Sequence, residues 1–194
     1  MPKISAPTVA EHRTHVLTAL VDAAEALLRR GEPLTAGTVS SAAGIARNSI
    51  YRYVNSVDDL AGLVLERHLP GWVEAVSSAL EQATSPDERV LTWVTANLRE
   101  AGATGHGWLI GLGGALAAGS SSLDLLDDTH HLLHTTLFEA WDDLADAQTA
   151  PVAAALTQGL VEAGFGQLDA GVPTDVVVDV AGRAARALVE TLRS

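Results

Sequence analysis

Helix-start signals recur along the whole chain, and no stretch alternates polar and apolar residues as a half-buried strand does. Thr8 with Glu11 reads as a capping box. Ser56 with Asp59 repeats the spacing, and Ser85-Pro86 with Glu88 adds proline at a first helical position. Behind each signal apolar residues return every three or four positions: Val16, Leu20, Ala23 and Leu27, then Leu60, Val64 and Leu65, then Val90, Val94 and Leu98. The pattern predicts an all-α chain of about nine or ten helices. The last of these are expected over Ser121 to Ala147, Pro151 to Gly164 and Pro173 to Leu192, with loops at Gly102–Gly107 and Gly164–Val172. A shorter helix, loosened by glycine, is expected over Trp108–Ala118.

Residues 35–54 narrow the reading further. Thr35 caps a short helix that should end near Ala43, and a third helix is expected from about Ala46 to Val54, with Gly44 at the turn. Two short helices around a tight glycine turn are the ingredients of a helix-turn-helix. Val39, Ala42, Ala43, Ile45 and Ile50 supply a small core against the first helix. Ile50 and Val54 form the inner side of the third helix, leaving Arg47, Asn48, Ser49, Tyr51, Arg52 and Tyr53 on its polar side. Arginine pairs bidentately with guanine and asparagine with adenine, while serine and tyrosine hydroxyls suit phosphates. A solvated face in a helical bundle has the same composition, so residue chemistry alone leaves both readings open.

Charge separates two parts of the chain. The 194 residues carry a net −12, yet residues 1–70 hold seven basic and seven acidic side chains, and residues 71–194 hold five and seventeen. A neutral head on an acidic body suits a protein that turns one end toward a polyanion. Cysteine is absent, which removes disulfides and thiolate-ligated zinc. No leader-like segment is visible, and the apolar run at Trp108–Ala118 is too short to span a bilayer, so a cytoplasmic protein without membrane contact is expected.

The segment Gly44-Ile45-Ala46-Arg47-Asn48-Ser49-Ile50-Tyr51-Arg52-Tyr53-Val54-Asn55-Ser56-Val57-Asp58-Asp59-Leu60 resembles the signature of the tetracycline-repressor (TetR) family of transcriptional regulators. Ser49, Ile50, Tyr51, Tyr53, Ser56, Asp59 and Leu60 fit its slots, and Ala26–Gly31 and Leu34-Thr35 extend the resemblance over about residues 12–66. The resemblance implies a three-helix DNA-binding domain at 1–56, a connecting helix at 57–70, and a helical ligand-binding and dimerisation domain at 71–194. It implies that Arg47, Asn48, Tyr51 and Arg52 face bases and that Ser49 and Tyr53 face phosphates, with Thr35 in the DNA-facing set. Ala46 stands where the family often has a serine cap, and Val57 where a lysine is frequent. Ala36 and Gly37 leave the second helix without its usual polar contacts. These departures predict few phosphate contacts, hence a shallow salt dependence and modest affinity.

For the body, the resemblance implies that the last two helices form a dimeric four-helix bundle, here through Leu156, Gly159, Leu160, Val177, Val180, Ala184 and Leu188. A pocket for an unidentified small-molecule effector is expected among Trp93, His106, Trp108, His130, His134 and Trp141, with Gly111, Gly113 and Gly114 leaving room beside it. Ordinary core tryptophans would give the same pattern. His130 and His134 are one helical turn apart, as are Asp127 and His131, a spacing that can share a metal. Too few ligands lie on one helix for a metal to be the expected cofactor, and none is assigned. No phosphate loop, nucleophile elbow or His-Glu-x-x-His is present, which speaks against an enzyme. The expected function is a repressor that binds palindromic double-stranded DNA as a homodimer and is released by its effector. A helical scaffold that has lost DNA binding and a metal-responsive regulator on the same fold are the alternatives.

Overall fold

The computed structural model describes residues 8–113 and 121–193. Among them are eight α-helices, one 3₁₀ helix and no strand. They are α1 (Val9–Arg29), α2 (Ala36–Ala42), the 3₁₀ helix (Arg47–Arg52), α3 (Asp58–Glu81), α4 (Pro86–Thr104), α5 (His106–Gly113), α6 (Ser121–Asp142), α7 (Thr149–Asp169) and α8 (Thr174–Leu192). The chain forms two compact units. Among the described residues, the first takes 8–66, 112–113 and 121–123, and the second takes 67–111 and 124–193.

In the first unit the caps lie where the sequence puts them. Thr8 Oγ1 accepts from the Glu11 N–H at 3.2 Å, and the Glu11 carboxylate accepts from the Thr8 N–H. Thr35 and Thr38 exchange the same pair of bonds at the start of α2. Ser56 Oγ accepts from the Asp59 N–H at 3.1 Å while the Asp59 carboxylate takes the N–H groups of Asn55 and Ser56. Leu20 and Ala24 of α1, Val39 of α2, Ile50, and Leu60, Val64 and Leu65 of α3 are fully buried. That burial, rather than helix propensity, holds the short α2 in place.

The second unit packs α4 against α7 and α8. Its core includes Val90, Val94 and Leu98 of α4, Leu137 and Trp141 of α6, Val161 of α7, and the stripe Val177, Ala181, Ala185 and Val189 of α8. Two helices run past the stops expected for them. α3 passes through Pro70 to Glu81, because Trp72 and Val76 continue, on the far side of the proline, the buried stripe that reaches it at Leu69. Their burial outweighs a cost of roughly 3 kcal/mol for an internal proline. α7 continues through Gly164 to Asp169, and the expected loop shrinks to Ala170–Pro173. Gly164 marks a close crossing: a Cβ there would stand 2.6 Å from Leu98 Cδ2. The expected Gly102–Gly107 loop is likewise helical except at Gly105, which separates α4 from α5. Gly114 and the C-terminal part of the helix expected over Trp108–Ala118 lie outside the described residues.

Candidate functional site

The head site is built by the turn between α2 and the 3₁₀ helix. Gly44 adopts φ +69°, a left-handed conformation. Around it the Ile45 N–H donates to the Ser40 carbonyl at 3.0 Å and the Gly44 N–H to Ser41 at 3.3 Å, closing α2 with a Schellman motif. Ala46 then starts the next element with no side-chain cap. The element is a 3₁₀ helix rather than the expected α-helix: the Ser49 N–H bonds the Ala46 carbonyl at 2.8 Å and the Tyr53 N–H bonds Ile50 at 3.0 Å, both i to i+3. Alanine offers no side-chain acceptor to the first-turn N–H groups, and with the tighter pitch the Ala46 carbonyl takes that of Ser49.

The tighter pitch rearranges the polar face. Side chains three apart eclipse in a 3₁₀ helix, so Asn48 and Tyr51 form one row and Ser49 and Arg52 another. Ile50 is fully buried and anchors the element, while Arg47, Asn48, Tyr51 and Arg52 are exposed and Ser49 and Tyr53 are half-buried. Tyr51 leaves 56% of its surface free. Neither Arg47 nor Arg52 makes an ion pair among the described residues, whereas Arg29 and Arg30 are held by Glu25 and Glu32. From α1, Arg13 Nη1 donates to the Arg52 carbonyl at 2.7 Å, and its guanidinium lies 5.7 Å from the Tyr53 ring centre. This brace was not legible from the motif, since Arg13 lies outside it. Thr35 is exposed but spends its hydroxyl on the α2 cap.

The body holds a cavity of about 510 Å³, partly open to solvent, between α4, the start of α5, α6 and α7. Four of the six expected pocket residues line it: Trp93, His106, His130 and His134. Trp141 does not. It is fully buried and donates its indole N–H to Thr157 Oγ1 at 3.0 Å, as a core residue. Trp108 is also outside the lining, and meets His68 edge-on at 5.3 Å. Sequence reading missed the contribution of α7, whose Gln158, Glu162, Phe165 and Asp169 recur at helical spacing on the cavity side.

Hydrogen bonds fix the walls. The Trp93 indole N–H donates to the Leu133 carbonyl at 2.8 Å. The Trp72 indole N–H donates to Asn97 Oδ1 at 3.0 Å, and Asn97 Nδ2 to the Trp93 carbonyl at 2.8 Å. His106 stacks on Phe165 with ring centres 3.8 Å apart. Asp169 accepts from the Gly107 N–H at 2.8 Å and stands 3.5 Å from His106 Nδ1. Burial holds His106 below the ordinary histidine pKa, against the opposing pull of Asp169. His130 is lowered for the same leading reason, with His134 adding to it. The His130 and His134 rings are 6.3 Å apart, and no group of three or more potential metal ligands gathers among the described residues.

On α7, Leu156 and Gly159 are exposed and Leu160 is half-buried; Val152, Ala155 and Ala163 extend this stripe, all exposed. On α8 the expected interface set divides: Val180 is 52% exposed, Ala184 and Leu188 are half-buried, and Val177 faces the core of its own subunit. No helix among the described residues is long and apolar enough to cross a membrane.

This architecture is that of the TetR-type regulators. The chain superimposes on a TetR transcription regulator from Haloarcula marismortui at a TM-score of 0.69 and 14% identity, covering 93% of this chain and 100% of that one. A TetR-like transcriptional regulator from Rhodococcus sp. RHA1 gives 0.65 at 20% identity, covering 93% and 96%. A protein from Saccharomonospora viridis solved in complex with choline gives 0.68 at 17%, covering 95% and 99%. Identities this low establish the fold. No protein-family model matches the sequence, and no curated protein does.

Proposed function

We propose that the chain is a TetR-family transcriptional regulator that binds double-stranded DNA as a homodimer and answers to a small molecule held in the body. The observation that carries this reading is the exposed polar surface of the 3₁₀ helix. Two arginines, an asparagine and a tyrosine stand free on an element anchored by one buried isoleucine. Such a surface has no structural task within the chain and matches the donor pattern of base edges in a major groove. The exposed apolar stripe of α7, with Val176 and Val180 of α8, supports pairing of two copies. Pairing would let two heads meet successive major grooves about 34–36 Å apart on a palindromic operator. The reading is of a cytoplasmic binding protein rather than an enzyme.

The cavity supports ligand response, and the choline found in the Saccharomonospora viridis neighbour supports a ligand site in this fold. α3 contributes residues to both units and is the natural lever, so that ligand would favour a spacing of the heads that misfits the operator. Repression released by effector follows from this mechanism.

A mobility-shift titration on DNA from upstream of the coding sequence tests the reading. Arg47→Ala with Arg52→Ala should weaken binding by about 30-fold or more, at about 1–3 kcal/mol per base contact, with helicity unchanged. The salt slope should be shallow. DNA binding that survives the double substitution, or that is absent from the parent protein, overturns the reading in favour of a scaffold, and a steep salt slope overturns the sparse-phosphate part of it.

A further inference from the structure

The chemistry of the cavity lining points to a ligand class. On α7 the positions 158, 162, 165 and 169 fall on one face, so two acidic residues, Glu162 and Asp169, both exposed at the open side, and the aromatic Phe165 line the cavity together. No lysine or arginine is among the lining residues. Trp93 from α4 adds a second aromatic surface, fixed by its bond to the Leu133 carbonyl. The carboxylates are themselves positioned. Gln158 Nε2 donates to Glu162 Oε1 at 2.9 Å, and the Gly107 N–H holds Asp169 Oδ1.

We propose that this cavity binds an organic cation, an amine or quaternary ammonium with an apolar or aromatic body, whose charge is met by Glu162 and Asp169 and whose body lies against Trp93 and Phe165. The inference deepens the effector reading and rests on it for its biological meaning. Cations gain from both carboxylates and aromatic faces, while an anion would meet two like charges in a wall without lysine or arginine. Burial lowers the pKa of His106 and of His130, which favours their neutral forms beside the carboxylates. The surplus of acidic residues after position 70 raises the local concentration of cations around this part of the chain.

The test uses three probes that share a benzyl group: benzyltrimethylammonium, benzyl alcohol and phenylacetate. They are titrated calorimetrically into the full-length protein without DNA. The cation should bind at least tenfold more tightly than the alcohol, and phenylacetate should give no binding heat. Glu162→Gln with Asp169→Asn should bring the cation down to the level of the alcohol, while the alcohol itself moves less than twofold. Glu162 is exposed, so Glu162→Lys should leave thermal unfolding unchanged, weaken the cation by tenfold or more, and admit phenylacetate. Equal or weaker binding of the cation, no binding of any probe, or cation binding untouched by both Glu162 substitutions overturns the proposal. Because no DNA is present, such a failure is separate from a failure of the arginine test, which concerns only the head.

Discussion

Gly44 and Gly164 show how differently the two parts of the molecule are held. Gly44, in the head, has φ +69°, and a Cβ there would meet nothing within 4 Å. Its role is conformational and is settled within six residues of chain, from Ser40 to Ile45. Gly164, in the body, sits in ordinary helix, and a Cβ would strike Leu98 Cδ2 at 2.6 Å and approach Val177 Cγ1 at 3.4 Å. Its role is steric and depends on helices that begin far away in sequence. The head thus sets its exposed polar surface mainly by local devices, a cap, a left-handed turn and one buried isoleucine, with a single long-range brace from Arg13 to the Arg52 carbonyl. The body sets its cavity by long-range packing, with aromatic indoles hydrogen-bonded across helices.

If that contrast is right, damage to the body should be large and specific to packing. Trp141→Ala removes a fully buried indole and the donor to the Thr157 hydroxyl, which keeps its own bond to the Ala153 carbonyl. The expected loss is about 3–5 kcal/mol in denaturant unfolding. A loss below about 1 kcal/mol would mean that the site collapses readily and that the body is not close-packed there. Next in size, Gly164→Val should cost about 1–3 kcal/mol by overpacking against Leu98, and truncation of that leucine in the same chain should recover part of it. Purely additive losses in the double variant would break the steric account.

Gly44→Ala sharpens the other side of the comparison. The expected cost is about 1–2 kcal/mol, arising from backbone conformation alone. Gly44→Asn should cost less, because asparagine tolerates the left-handed region better. The same pair of substitutions at Gly164 should run the other way, with asparagine worse than alanine because it is larger. Thermal unfolding of the four variants decides the matter, and identical rankings at both glycines would erase the distinction drawn here.

The same distinction explains what could be read in the sequence. Caps at Thr8, Thr35, Ser56 and Ser85, the turn at Gly44 and the exposure of Arg47 and Arg52 depend on neighbours a few residues away, and each was legible. The 3₁₀ pitch of the element at Arg47–Arg52 was not, although the alanine at its cap position was visible. Gly164 and Pro70 read as stops because local propensity disfavours them in helices. Tertiary burial of Trp72 and Val76, and the close approach of Leu98, override that preference. The cavity was half legible. Histidines and tryptophans stand out by rarity, which found Trp93 and His106 but also drew in Trp141, a core residue. Glu162 and Asp169 were hidden among many acidic residues, and only the packing of α7 distinguishes them.

The smallest expected effect concerns pH, and it isolates the body. His106 is half-buried, faced by Asp169 from α7 and His130 from α6, and held below its ordinary value mainly by burial. The unfolded chain therefore binds a proton at this position before the folded chain does. By linkage, stability rises with pH wherever the unfolded state holds more protons. The contribution of His106 should thus be constant above about pH 6.5, the ordinary value, and should shrink as pH falls from there toward the lowered folded value. His130 is lowered in the same direction and adds to the trend. Denaturant unfolding of the parent and of His106→Gln between pH 7.5 and pH 5 measures it. The variant should lose less stability over that interval than the parent, while Arg47→Ala, whose side chain stands free on the head, should track the parent throughout. A parent and a His106→Gln variant with parallel pH profiles would show that burial of this imidazole carries no charge penalty.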